Sequence, residues 1–75
     1  MILPTKHIPA ERALVGVGAV LLQHLERPRT VSDLWEKVKD HEAVGNFERF
    51  VLGLDLLHML GAVNLSRGLL VKVSG

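Results

Sequence analysis

The chain has no cysteine, which removes disulfides and thiolate zinc sites and makes a reducing compartment, by default the cytoplasm, the expectation. It has almost no net charge either. Nine Lys and Arg against eight Asp and Glu give a formal +1, and the two signs are interleaved, so composition makes no electrostatic case for nucleic acid. Long apolar runs are also missing: the longest, Ala13 to Leu22, is about half the ~20 residues a membrane span needs, and Gly16 and Gly18 interrupt it. The first residues carry no charged-then-apolar export pattern. Neither a membrane segment nor a signal peptide is expected.

Catalytic motifs are equally scarce. Ser32, Ser66 and Ser74 stand in no nucleophile-elbow sequence. Gly16-x-Gly18 lacks the third glycine and the preceding strand of a dinucleotide-binding turn. His7, His24, His41 and His58 recur every 17 residues, but their neighbours share nothing and no two lie at a helical spacing of three or four. No metal, no cofactor and no catalytic residue is therefore expected, and a chain of 75 residues builds one small core and no large cleft.

What the chain does have is apolar surface. Apolar residues make up 48% of it and seven glycines come on top, whereas ordinary soluble domains hold about 45–50% with glycine included. A domain this short buries only about 60% of the surface its unfolded chain exposes, so part of the surplus is expected to face a partner.

The order of elements follows from caps and periodicity. Residues 1–8 read as an extended arm, because Pro4 is incompatible with a regular central strand. Pro9 suits a first helical turn, and Leu14, Val17, Leu21 and Leu25 recur at helical spacing after it, with Val15 and Leu22 widening the stripe. Gly16 and Gly18 cost such a helix up to ~1 kcal/mol each relative to Ala, and close approach of another backbone is their expected use. Pro28 ends this helix. Thr30 with Asp33 three positions on resembles a capping box and opens a second helix, in which Val31, Leu34, Trp35 and Val38 form the inner face and Trp35 is an anchor. His41 to Gly45 reads as a connection, Asn46 as the cap of a third helix from Phe47 to about Leu60, and Gly61 as its stop. Ala62–Leu65 and Leu69–Val73 then alternate as a β-hairpin around Ser66, Arg67 and Gly68. Three helices (9–61) followed by a hairpin (62–73) are the order of a winged helix, a mostly α member of the α+β class, and the whole of 1–75 reads as one such domain.

The third helix carries the functional expectation. In a DNA-binding winged helix it presents Arg, Lys, Asn or Gln to base edges. Here Phe47, Phe50, Val51, Leu54 and Leu57 form one face, assigned to the core, while Leu52, Leu56, Met59 and Leu60 form the opposite side. A helix apolar nearly all round is normally covered on both sides. Either the arm, with Ile2, Leu3 and Ile8, folds over the second face, or a partner covers it; the size of the patch favours a partner. His58 falls near the core face, where a hydrogen-bonded neutral imidazole is the ordinary arrangement. Arg27, Arg29, Lys37, Lys39, Arg67 and Lys72 are the candidate phosphate contacts, diluted by Glu26, Asp33, Glu36 and Asp40, so that a solvated surface is the plainer reading.

The wording of the chain adds a resemblance. Met-Ile-Leu-Pro-Thr-Lys-His-Ile-Pro (Met1 to Pro9), Glu11-Arg12, Thr30-Val31-Ser32-Asp33-Leu34-Trp35, Phe47-Glu48-Arg49-Phe50-Val51-Leu52, Leu54-Asp55-Leu56-Leu57 and Gly61-Ala62-Val63 together resemble the short middle components of bacterial ABC-three-component systems, over nearly the whole chain. The resemblance implies a noncatalytic subunit encoded between an SMC or Rad50-like ABC ATPase and an effector, in anti-phage defence related to the Lamassu group. It would bridge the two or hold the effector inactive. Partner contacts are then expected from Pro4, Thr5, Lys6 and His7 in the arm and from Leu52, Leu56, Met59 and Leu60. The competing reading is a small homodimeric transcription regulator that touches DNA through its wing.

Overall fold

The computed structural model describes residues 10–73, with side chains from residue 12 onward. Five elements follow one another: α1 (Ala10–Gln23), α2 (Val31–Val38), α3 (Phe47–Met59), β1 (Val63–Ser66) and β2 (Leu69–Lys72). The two strands pair antiparallel in the register Val63↔Lys72 to Ser66↔Leu69. Three helices and a hairpin, in that order, are the winged-helix arrangement that the sequence predicts.

The caps act where the sequence places them. The Thr30 hydroxyl accepts from the Asp33 backbone N–H at 3.0 Å and the Asn46 side chain from that of Arg49 at 2.8 Å, each satisfying a donor that a helix start leaves unpaired. Only half of the capping box at Thr30 forms, because the Asp33 carboxylate turns to Arg29 instead. Gly61 closes α3 with φ +75°, a backbone state that costs glycine nothing.

Two boundaries differ from expectation. α1 ends at Gln23, two residues before Leu25, because His24 and Leu25 donate back to the carbonyls of Leu21 and Leu22 and tighten the last turn,. Leu25 is nonetheless buried. The hairpin turn is shorter than expected: Ser66 pairs with Leu69, leaving only Arg67 and Gly68 between the strands, both at positive φ (54° and 79°). That is the tight turn whose twist matches the strands, and Arg67 pays a steric cost for it that glycine escapes.

The core draws Val17, Val20 and Leu21 from α1 and Leu25 from just past its end, Leu34 and Val38 from α2, Phe50 and Leu57 from α3, and Val63 and Leu70 from the hairpin. Val44, in the connection between α2 and α3, is fully buried as well, a role that no periodicity announces in so short a segment. Several residues assigned to the core lie outside it. Val15 is 60% exposed and Phe47 52%, Val51 and His58 are exposed, and Leu54 is only half-buried. The reason is the narrowness of the covered arc: α3 meets α1 along one seam and leaves the flanks of its apolar face to solvent. Phe47 still packs by its edge on Trp35, centroids 5.1 Å apart at 85°, and Trp35 lies 5.2 Å from Phe50, a geometry that aromatic quadrupoles favour. Trp35 anchors α2 to α3 from a half-buried position.

The expected close approach sits at a different glycine. A Cβ on Gly53 would come within 2.5 Å of Val17 Cγ1 and 3.2 Å of Val17 Cβ, so α3 presses on α1 through Gly53. At Gly18 a Cβ would meet the Leu57 side chain at 3.1 Å, not a backbone, and at Gly16 no atom of the described residues lies within 4 Å.

Candidate interaction surface

The α1–α3 seam leaves an apolar groove along one side. Val15, Ala19 and Leu22, at i, i+4 and i+7 on α1, face Leu56 of α3 and its C-cap residue Leu60 across it; the buried Gly18 and Leu57 form its floor, and Ala62 lines it as well. Its volume is about 240 Å³, and the described residues that line it carry no charged side chain. Leu22 and Leu56 are half-buried, but Val15 is 60% and Leu60 70% exposed. Glycine at position 18 is what lets Leu57 lie against α1 and lowers the floor.

The apolar surface runs on along α3. Leu52, four residues before Leu56 and so its neighbour on the helix surface, is 44% exposed, and Met59, one turn after Leu56, is 80% exposed,. Of the four helix positions expected to meet a partner, Leu56 and Leu60 line the groove, while Leu52 and Met59 extend the same surface beyond it. Val15, Ala19 and Leu22 of α1 belong to the groove too. Val15 and Leu22 widen the apolar stripe of α1, but a helical wheel shows such an arc without showing where its cover stops: Leu22 still packs on the core while Val15 does not. Pro4, Thr5, Lys6 and His7 lie outside the described residues.

The candidate phosphate contacts separate. Arg29 is a scaffold residue: its Nε donates to the His24 carbonyl at 2.7 Å, and its two terminal nitrogens to Glu26 at 2.9 Å and Asp33 at 2.8 Å. These hydrogen bonds hold the carboxyls of Glu26 and Asp33 below their ordinary values and raise the Arg29 guanidinium. With three of its five donors engaged by two carboxylates and a carbonyl and its side chain only 10% exposed, Arg29 has little left for a phosphate. Lys39 is paired with Glu36 at 2.8 Å, which raises its ammonium. Arg27 and Lys37 stand near enough to Asp33 to lower its carboxyl further, so positive and negative charge alternate around the start of α2. Arg67 is at the tip of the wing and Lys72 at its base, about 10 Å apart along the strand. Among the described residues no three of His, Asp and Glu come together as a metal site, and no described helix is long and apolar enough to cross a membrane.

The outward side of α3 shows Glu48, Val51, Leu52, Asp55 and Met59, where a reader of bases would carry amides and guanidiniums. Fold and surface together define a small winged-helix module with an apolar face on α1 and α3. A family model described as ABC-three component (ABC-3C) system Middle Component 6 matches residues 3–74. The chain belongs to that family, and so is one component of a system that has others. No curated protein and no solved structure matches it.

Proposed function

We propose that this middle component is a noncatalytic adaptor, a single winged-helix domain over 1–75 that joins the other two members of its system through protein contacts. One partner is an SMC or Rad50-like ABC ATPase and the other an effector; the adaptor bridges them or restrains the effector until foreign DNA engages the ATPase, in an anti-phage system related to the Lamassu group. The observation that carries this reading is the apolar surface of α1 and α3, centred on the groove between Leu22 and Leu60. Burying a Leu or Met side chain that a monomer leaves exposed is worth ~1.5–3 kcal/mol, and Leu60 and Met59 keep most of that in reserve at 70% and 80% exposure. The arm residues Pro4 to His7 add contacts to the same partner surface. The acidic and apolar outward side of α3 supports protein contact over direct reading of DNA, which the complex would reach through its ATPase.

Co-expression of the chain with both other components, followed by affinity capture, tests the proposal. The wild type is expected to be retained and Leu60→Asp to be lost or weakened at least ~10-fold, with its helical circular dichroism unchanged because Leu60 lies past the end of α3. Full retention of Leu60→Asp, or a wild-type chain that remains monomeric and unbound, defeats it.

A further inference from the structure

On the other side of α1 a second hollow, of about 470 Å³, is lined by Arg12, Ala13 and Gly16 of α1, Glu42 and Ala43 of the α2–α3 connection, and Arg49 of α3. That volume lies within the range of small-ligand sites. Arg49 is seated there by local structure. Its backbone N–H is held by the Asn46 cap at 2.8 Å, and its side chain crosses Gly45, where a Cβ would lie 3.2 Å from Nη1 and 3.3 Å from Cδ. Gly45 also has φ +80°, so a larger residue at that position both strains the backbone and pushes Arg49 away. Arg12 and Arg49 contrast with Arg29: among the described residues neither guanidinium has a carboxylate within ion-pair distance, whereas Arg29 has two. Gly16 opens into this hollow with no atom of the described residues within 4 Å of where its Cβ would be. Packing within the described chain does not account for a glycine in the middle of a helix, and the space it leaves does.

We propose that this hollow binds an acidic side chain presented by an extended peptide segment of a protein partner. Arg12 and Arg49 offer the carboxylate planar forks of N–H donors, and Ala13, Gly16 and Ala43 give its methylenes an apolar floor. Glu42 on the same rim sets the class of ligand. A nucleic-acid backbone brings one negative charge every ~1.7 Å of duplex and would set several of them against that carboxylate; one acidic side chain between neutral or basic neighbours, held by the two guanidiniums, does not. The site is distinct from the apolar groove and stands whether or not the groove takes a partner.

Titration of the isotope-labelled chain with N-acetyl-Ala-Glu-Ala-amide, followed by NMR, tests this directly. The amides of Gly16 and Ala43 and the Nε–H groups of Arg12 and Arg49 are expected to shift saturably, with a Kd of ~1–5 mM as befits a tripeptide. The glutamine counterpart of the peptide is expected to bind at least five-fold more weakly. Gly16→Leu, which fills the hollow from a position with room for a side chain, and Arg49→Gln are expected to lose the response while the signals of Leu34 and Val38 stay in place; if Arg49→Gln fails to fold, Arg12→Gln takes its part. Equal shifts with the glutamine peptide, or no saturation below ~10 mM, overturn the proposal. So does a short oligothymidylate that moves the same signals more strongly than the glutamate peptide, since it would make the hollow a phosphate site.

Discussion

The two hollows beside α1 are built from the same helix and opposite chemistry. One is apolar, with Gly18 beneath Leu57 and leucines on both walls; the other is rimmed by Arg12, Glu42 and Arg49, with Gly16 open to space. Two glycines only two positions apart therefore have different work: Gly18 lets the chain pack on itself, while Gly16 leaves a space that the described chain does not fill. Between the hollows runs the seam in which Gly53 receives Val17. A single helix pair thus offers one side suited to hydrophobic burial and one suited to charge, an arrangement that would let a small domain hold two different partner segments without enlarging its core.

Breaking the seam should remove both sides together. Gly53→Ala places a Cβ 2.5 Å from Val17 Cγ1, and the overpacking, less the helix-propensity gain, is expected to give a net loss of about 1–2 kcal/mol in urea unfolding. Adding Val17→Ala should make the pair less destabilised than the sum of the two single changes, because the second truncation relieves the clash. The comparison of the glycines is sharpened by two alanine substitutions. Gly16→Ala should stabilise by ~0.5–1 kcal/mol, and Gly18→Ala should fall at least ~0.5 kcal/mol short of it because Leu57 must yield. The arginines divide in the same way: Arg29→Ala should lower Tm, with Arg29→Lys failing to restore it for want of a fork, while Arg49→Ala changes stability by less than ~0.5 kcal/mol. The smallest effect is that of acid. Glu26 and Asp33 have carboxyls lowered from ordinary values of 4.5 and 3.8, so folding favours their ionised forms. The stability this confers is complete above those ordinary values and disappears as pH falls below them. Both groups are exposed, so the loss should be slight and should shrink further at high salt, as thermal melts between pH 6 and pH 3 can measure.

Much of this architecture is legible in the residues because its punctuation is local. Thr30, Asn46 and Gly61 act within a turn of where they stand, and the change from helical to alternating periodicity after Gly61 marks the wing without reference to the rest of the chain. The apolar outward side of α3 is legible for the same reason, since Leu52, Leu56, Met59 and Leu60 fall together on any helical wheel. What escapes is the pairing of surfaces. A wheel assigns His58 and Val51 to an apolar arc, but only the α1 contact decides that the cover stops before them. Gly53 shows no sign of being the point of contact, because its partner Val17 is far away in sequence. Val44 sits in a connection too short to have a period. The charged hollow assembles Arg12, Glu42 and Arg49 from three separate segments, a combination that no spacing rule encodes, and one of the arginines that sequence offered for phosphate, Arg29, is instead consumed by its neighbours.

Arg29 does one thing more. Its backbone pairs with Leu70 on the free side of β2, donating to the Leu70 carbonyl at 3.2 Å and accepting from the Leu70 amide at 2.6 Å, while its side chain ties the end of α1 to the first turn of α2. The wing is consequently pinned to the helices through one residue's two ends and has no hinge of its own at that point. Torque applied to the hairpin by a bound partner would be passed to the helices, so a module built this way would answer a partner as one rigid body.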